Sequence, residues 1–385
     1  MTIDPTVDLS AAARQIWDVI VVGAGPAGSM SAREVARRGA RVLLVDRATF
    51  PRFKVCGGCL NPRSLQVLQR IGLGHVVKNL GAVPLTRFTL ASHSQHARLP
   101  LPLGAAVSRE AFDSTLIREA IKTGVAFLPG VSASLLPVHG SSTRRTVRLR
   151  QANHESSVEG RVILAANGLA GALEEHSQAV TTWTSGSRIG AGVMIAKPVP
   201  GYEPGTIYMA CGRSGYVGQA MVEDGRVDMA AALDPIAVKQ AGGIGMLAES
   251  ILREAGFPPY PNLSDLHWKG TPHLTRRAPS LGGHRHFVVG DAAGYIEPFT
   301  GEGMAWALEG AVLVAPLAHR GIVQWDPALL NRWRGAYRRH VTHRQFVCRL
   351  TAALLRLPIT TRLMVGTLAV APWIARPFLS VMYRG

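Results

Sequence analysis

The sequence predicts an α/β protein organised around a nucleotide-binding βαβ unit, and three observations near its N-terminus carry that expectation. Asp18-Val-Ile-Val-Val22 is a short apolar run, and Gly23-Ala24-Gly25-Pro26-Ala27-Gly28 follows it at once. Ser29 to Arg38 then carries a helical pattern, with Ala32, Val35 and Ala36 on one side and Gly39 as the stop. Arg41-Val-Leu-Leu-Val45 is a second apolar run, ended by Asp46. Short apolar runs of this kind read as buried strands. The unit spans about thirty residues, the setting in which such a glycine fingerprint binds a dinucleotide.

Each element has a physical reason. Gly23 permits the tight turn, Gly25 lets the backbone approach a pyrophosphate, and Gly28 lets helix and strand pack closely. Pro26 and Ala27 open the helix, whose exposed first amides hold phosphates. Asp46 is placed to accept hydrogen bonds from the adenosine ribose hydroxyls. A carboxylate there repels a 2′-phosphate, so NADP is not expected at this position. Arg47 adjoins it and is placed in the same site.

A second motif lies far along the chain. His286-Phe-Val-Val289 reads as another strand, followed by Gly290-Asp291-Ala292-Ala293-Gly294 and then by Pro298-Phe299-Thr300-Gly301-Glu302-Gly303. Asp291 is placed to hydrogen-bond a ribityl hydroxyl. Gly301, Glu302 and Gly303 open a long Ala- and Leu-rich helix from Met304 to Leu317. A helix N-terminus offers free amides and partial positive charge, which suits an anionic reduced flavin. One fingerprint at the start and a Gly-Asp segment near the end suggest a single extended cofactor gripped at both ends, and FAD fits.

These segments resemble the para-hydroxybenzoate hydroxylase superfamily of flavoproteins, and within it the geranylgeranyl reductase family. The residues that carry the resemblance are Phe50-Pro51-Arg52-Phe53-Lys54-Val55-Cys56-Gly57-Gly58-Cys59, Pro298 to Gly303, and Arg109-Glu-Ala-Phe112-Asp113 with Leu116 and Ala120 following. They cover roughly residues 16–130 and 278–320. The resemblance implies an α/β fold: a Rossmann-like FAD-binding domain of the para-hydroxybenzoate hydroxylase type, with an antiparallel β-sheet substrate domain. It places Cys56, Gly57, Gly58 and Lys54 at the catalytic position and Arg109 against the FAD. One departure stands out. Relatives carry Ala-Asp-Gly after the strand that closes the FAD domain, whereas here Arg161-Val-Ile-Leu-Ala-Ala166 runs into Asn167-Gly168. Asn167 and Gly168 remain candidate cofactor contacts, without the negative charge. The implied organisation is 16–175 and 278–325 for the FAD-binding domain, 82–103 and 176–277 for the substrate domain, and 326–385 for a C-terminal amphipathic helical region. Strands are expected at Ile189 to Ile195, Thr206 to Ala210, Gly215 to Val222 and Arg226 to Leu233, with Glu223-Asp224-Gly225 as a hairpin turn.

Composition narrows the function classes. The chain has 385 residues, four cysteines and a net charge of +17. Such a count does not make a disulfide framework. Cys56-Gly-Gly-Cys59 is either a redox dithiol beside the flavin or one family cysteine with an incidental neighbour, Cys59, which is placed at the start of the helix through Leu65 and Leu68. A zinc site lacks its second pair of ligands, so no metal is expected. Met1 to Gln15 is polar and has no secretory signal pattern, so a cytoplasmic protein is expected.

Charge is concentrated at the C-terminus. From Asn331 to Gly385 there are ten arginines and no acidic residue or lysine, interleaved with Phe346, Leu350, Leu363, Trp373 and Tyr383. The longest uncharged run there, Leu363 to Ala375, is thirteen residues, short of the roughly twenty that span a bilayer. The segment reads as lying on an anionic membrane surface at the inner face. The alternative is a helical subdomain packed on the core. Nucleic acid is not expected, because the segment is too apolar.

The expected activity is FAD-dependent oxidoreduction of a lipophilic isoprenoid or polyketide-like substrate, by hydride transfer from flavin N5 to a double bond. Two alternatives stand beside it: an FAD-dependent monooxygenase hydroxylating or epoxidising its substrate, and a non-catalytic flavin- or lipid-binding protein. Halogenation is not expected, since Trp-x-Trp-x-Ile-Pro is absent. With no second nucleotide fingerprint, electrons are expected from NAD(P)H visiting transiently, or from ferredoxin or flavodoxin as an electron-transfer partner.

Overall fold

The computed structural model describes residues 2–138, 142–170, 173, 182–184, 186–297, 299 and 301–377. In chain order the principal elements are β1 (Ile16–Val22), α1 (Pro26–Ala36), β2 (Val42–Asp46), β3 (Cys59–Leu60), α2 (Pro62–Arg70), β4 (Val83–Ser92), β5 (Gln95–Ala106) and α3 (Arg109–Ile121). There follow β6 (Ala126–Pro129), β7 (Ser132–Leu135), β8 (Arg145–Gln151), β9 (His154–Ala165), β10 (Ile189–Ile195), β11 (Thr206–Gly212), β12 (Gly215–Met221) and β13 (Val227–Leu233). The remainder are α4 (Ile244–Glu254), β14 (Lys269–His273), β15 (Gly282–Gly283), β16 (His286–Val288), α5 (Gly303–Val323), α6 (Ala328–Tyr337), α7 (His343–Leu354) and α8 (Pro358–Val370).

Two eight-stranded sheets dominate the described residues. In the first, the path β15-β16-β9-β1-β2-β6 contains parallel pairings of β16 with β9, β9 with β1, β1 with β2 and β2 with β6. Its central strands are buried on both faces, which explains why Val19 to Val22 and Val42 to Val45 are apolar without alternation. Helices α1 and α5 pack on one face over Val19, Val21, Leu164 and Phe287, with Trp306 of α5 in the same core. The first C-terminal helix joins this core, with Trp333 fully buried and its indole N–H donating to the Val288 carbonyl at 3.2 Å.

The second sheet runs β14-β10-β13-β12-β11-β4-β5-β3. The expected strand at 189–195 is observed with those bounds, and the hairpin turn lies between β12 and β13 with Gly225 at φ +82°. The sheet is not wholly antiparallel. Strand β11 runs parallel to β4, so Thr206 pairs with Arg87 and Ala210 with Ala91. The turn of its central hairpin is tied to the first unit. Ser108, the N-cap of α3, donates from its amide and hydroxyl to Glu223 at 2.7 and 2.6 Å, and Arg226 donates to Glu110 at 2.8 Å. The hairpin is thereby fastened to the helix that carries Arg109.

Candidate active site

A cavity of about 830 Å³ runs between the two sheets, within the range of pockets that enclose large ligands. Its first end is the glycine-rich turn. Gly23 adopts φ +103°, and a Cβ there would lie 2.3 Å from the Ala166 carbonyl, so only glycine makes this turn. Gly25, Pro26, Ala27, Asp46 and Arg47 line the wall. A Cβ on Gly25 would meet only the guanidinium tips of Arg52 and Arg109, at 3.8 and 3.9 Å. Gly28 is different. It does not line the cavity, and a Cβ there would lie 1.7 Å from the Gly23 carbonyl and 3.1 Å from Ala166 Cβ. Its closest packing is therefore against its own turn, rather than chiefly helix against strand.

Asp46 is buried, and its two oxygens accept from the amides of Ala24 at 2.6 Å and Ala48 at 2.8 Å. It braces the turn and still presents unused lone pairs to the cavity. Arg109, in the first turn of α3, donates to Asp113 through Nε at 2.7 Å and Nη2 at 2.8 Å. Arg52 approaches the same carboxylate at 3.5 Å. Asp291 lines the cavity, where burial pushes its carboxyl up while Lys54, Arg109 and Arg276 oppose. Burial and then the Arg109 charge push Lys54 down. This part of the cavity gathers Arg52, Lys54 and Arg109 around Asp291, with Asp113 buried behind them, and is also walled by Asn167 and Gly168.

Beyond it lie Cys56, Gly57, Cys59, Gly301 and Gly303. Both cysteines are free, and burial pushes both thiols up, with Arg109 opposing at Cys56 and the neighbouring Cys56 adding to the rise at Cys59. Redox exchange needs a thiolate, so the environment disfavours the dithiol reading. Cys59 does not start a helix: it sits in β3, its thiol donating to the Gly57 carbonyl at 2.9 Å. Helix α2 begins at Pro62 behind Asn61, whose side chain accepts from the Ser64 amide as its cap.

Gly58, Gly290 and Glu302 do not line the cavity. Gly58, at φ +62°, makes room for Asp228 Oδ2, which a Cβ would approach to 2.8 Å. Gly290, at φ +63°, lets its loop approach Ala27. Glu302 is buried, accepts from Asn61 Nδ2 at 3.1 Å and lies 3.9 Å from Arg344. Pro298 lies outside the described residues.

Burial raises the Glu302 carboxyl from an ordinary value of 4.5 to about 7, with Arg63 opposing. Between those values the folded chain holds a proton that the unfolded chain releases. Stability therefore falls as pH rises through that window, by up to about 3 kcal/mol. Glu302→Gln should remove this contribution. The difference in melting temperature between variant and parent is expected to widen in the variant's favour from about pH 5 to about pH 8. A constant difference across that range in thermal melts would show that Glu302 does not titrate there.

The residues fit a dinucleotide. Helices α1 and α5 both begin at the cavity, and neither N-cap residue supplies a side-chain acceptor, which leaves their first amides for a ligand. Gly25 leaves an open cradle facing two guanidiniums. A family model described as an FAD binding domain matches residues 17–211. The chain belongs to that family. It is an FAD-dependent enzyme with an α/β fold of the para-hydroxybenzoate hydroxylase type. A menaquinone reductase of Mycobacterium tuberculosis is 29% identical over 351 residues, covering 81% of this chain and 79% of that protein. Among solved structures, a geranylgeranyl bacteriochlorophyll reductase-like protein of Thermoplasma acidophilum superposes with a TM-score of 0.75 at 18% identity, covering 92% of each chain. A myxobacterial chondrochloren halogenase superposes with 0.73 at 21% identity, covering 86% of this chain and 82% of the other. These two likenesses show the fold.

Several site residues were not legible as such. Arg276 donates to the carbonyls of Leu169 and Ala292 at 2.9 Å each, and so ties the loop after β9 to the Gly-Asp segment. Arg188 and Glu297 form a buried ion pair at 2.8 Å, and Arg356 adds a second contact to Glu297 at 3.1 Å. No local motif marks either.

Proposed function

We propose that this protein is an FAD-dependent reductase that saturates a carbon–carbon double bond of a lipophilic, isoprenoid-type substrate. One observation carries the reading. Past Cys56 and Gly301 the cavity continues between walls of Phe88, Leu90, Met209, Leu274, Phe299 and Met364, long enough and apolar enough for a hydrocarbon chain and without a charged side chain among those six. The similarity to a menaquinone reductase supports a lipid substrate.

When bound, reduced FAD supplies a hydride at N5. Gly25, the first amides of α1, Arg52 and Arg109 would hold its pyrophosphate, Asp46 and Arg47 its adenosine end, and the start of α5 the pyrimidine edge of its ring. Cys56 Sγ holds a proton where the polar and apolar halves of the cavity meet, because burial keeps it a thiol. In this reading Cys56 would give its proton to the carbon of the double bond that does not receive hydride. The thiolate left behind lies beside Arg109, which stabilises it until a proton returns. The apolar wall excludes water from the reacting carbons. Electrons come from NAD(P)H visiting transiently or from a ferredoxin- or flavodoxin-type protein.

The test is anaerobic mixing of photoreduced protein with menaquinone or a bacterial lipid extract. Reoxidation of the flavin, with a lipid product that keeps a gain of two hydrogens by mass spectrometry after any quinol has been reoxidised, is the expected result. A product that gains oxygen only when air is admitted makes the enzyme a monooxygenase instead, and reoxidation by neither overturns both. Cys56→Ala is expected to keep its flavin and lose at least about a hundredfold in turnover, the lower end of the range for a positioned general acid. Cys59→Ser is expected to turn over normally, and a loss equal to that of Cys56→Ala would restore the dithiol reading.

A further inference from the structure

We infer that the outward face of α7 and α8 docks on an anionic lipid bilayer, and that substrate enters the cavity through this face. Docking itself stands independently of the reductase reading; the entry route rests on that reading's lipophilic substrate.

A helix on a protein surface ordinarily turns its polar side outward. Here the pattern is reversed. In α7 the exposed positions include Phe346, Leu350 and Leu354, and in α8 they include Ile359, Leu363 and Val370. These recur at helical spacing. Leu357 joins the helices, and Trp373 and Ile374 follow, all exposed. Nine of the thirteen large apolar side chains exposed among the described residues fall in this one stretch. A patch so concentrated marks an interaction surface.

The inner faces of the helices are already partnered. Leu355, Val365 and Leu368 pack with Leu90, Ala97 and Cys211 of the second sheet. Gly366 allows the close approach to β5, since a Cβ would lie 3.2 Å from the Gln95 amide oxygen. No single described helix is long and apolar enough to cross a membrane, and the chain bends by 102° between α7 and α8. The face can lie on a bilayer, with its far side held by protein.

Charge selects an anionic surface. Seven arginines are exposed between 332 and 376, with no acidic residue in that span. Along one face of the continuous helical stretch that runs from α6 into α7, Arg338, Arg339, Thr342 and His343 lie beside the exposed Phe346. Such cationic donors beside an exposed aromatic ring suit lipid headgroup phosphates at the boundary with the acyl chains.

The same face is the mouth of the cavity. Leu354 and Ile374 belong both to the exposed stripe and to the cavity wall, and Thr351, Met364 and Leu368 continue the wall inward. A lipid chain can therefore pass from the acyl region into the site along apolar side chains, without crossing water.

The experiment uses the full-length FAD-loaded protein with sedimenting vesicles of phosphatidylglycerol or of phosphatidylcholine. Leu350, Leu363 and Trp373 are exposed and do not line the cavity. The triple variant Leu350→Ser, Leu363→Ser, Trp373→Ser is expected to lose at least roughly tenfold in partitioning to phosphatidylglycerol. Its flavin content and its turnover of detergent-dispersed substrate should be unchanged, while turnover of vesicle-borne substrate falls. Arg338→Glu with Arg339→Glu should weaken binding to phosphatidylglycerol alone. Quenching of Trp373 by brominated lipid, absent in Trp373→Phe, tests the same contact in folded parent protein. Equal binding to both lipids, equal binding of the triple variant, or a shift of the parent from dimer to monomer in that variant would overturn the inference. Retained turnover in detergent with no vesicle binding sinks docking alone, and vesicle binding with no turnover sinks the reductase reading alone.

Discussion

Arg109→Leu is expected to purify without flavin and with a markedly lower melting temperature. Two effects combine. Asp113 is fully buried and holds both oxygens to the Arg109 fork at 2.7 and 2.8 Å. Without that partner, its nearest cation is Arg52 at 3.5 Å. Removing one member of a buried pair costs on the order of 3–5 kcal/mol, because the remaining charge stays desolvated. The same guanidinium faces the open cradle at Gly25, so the site also loses a cation where a pyrophosphate would sit. Arg109→Lys keeps a charge but loses the two-pronged geometry, and is expected to retain flavin weakly. Absorbance spectra and thermal melts check this. Stoichiometric flavin in Arg109→Leu, with only the melt lowered, would reduce Arg109 to a structural partner of Asp113.

The contrast between Arg109 and Arg188 shows which parts of the site a single sequence discloses. Arg109 was placed by the resemblance, and its partner Asp113 is local, four residues on in the same helix. The βαβ unit was legible for the same reason: apolar run, glycines, helix and terminal acid are contiguous, and each has one steric role. Arg188 pairs with Glu297, and Arg63 with Glu309, across the whole fold. Nothing near either residue encodes that meeting. Strands β4 and β5 were also obscure, because β4 alternates imperfectly and Pro84, Pro100 and Pro102 interrupt the pattern. The parallel pairing of β4 with β11 makes the second sheet mixed, which strand periodicity alone does not determine. The place of the Glu302 side chain was hidden for a subtler reason. Its neighbours Gly301 and Gly303 do line the cavity, but a residue between two lining glycines need not point the same way, and this one turns into the helix interface.

Two glycines of one fingerprint should fail in different ways. Gly28→Ala is expected to give insoluble or grossly destabilised protein, and Gly25→Ala a folded protein that binds FAD poorly. At Gly28 a Cβ would lie 1.7 Å from the Gly23 carbonyl, and that carbonyl is held in a turn whose own residue adopts φ +103°. Backbone on both sides is fixed: the Gly23 amide donates to the Val45 carbonyl at 2.7 Å, and the Ala166 amide to the Val22 carbonyl at 2.8 Å. Relief requires moving α1 off β1, through the centre of the first core, at a cost expected to exceed about 3 kcal/mol. At Gly25 the nearest atoms are the ends of two long side chains at 3.8 and 3.9 Å, an ordinary contact distance. The methyl group would instead occupy the space where a phosphate approaches the backbone amides. Soluble yield and melting temperature should therefore collapse for Gly28→Ala and stay near parental for Gly25→Ala, while flavin titration shows the loss of affinity in the latter. If Gly25→Ala binds FAD as tightly as the parent, the pyrophosphate does not sit at this turn. That would also deprive Arg109 of its proposed ligand, so the two variants test one binding geometry from opposite walls of the cavity.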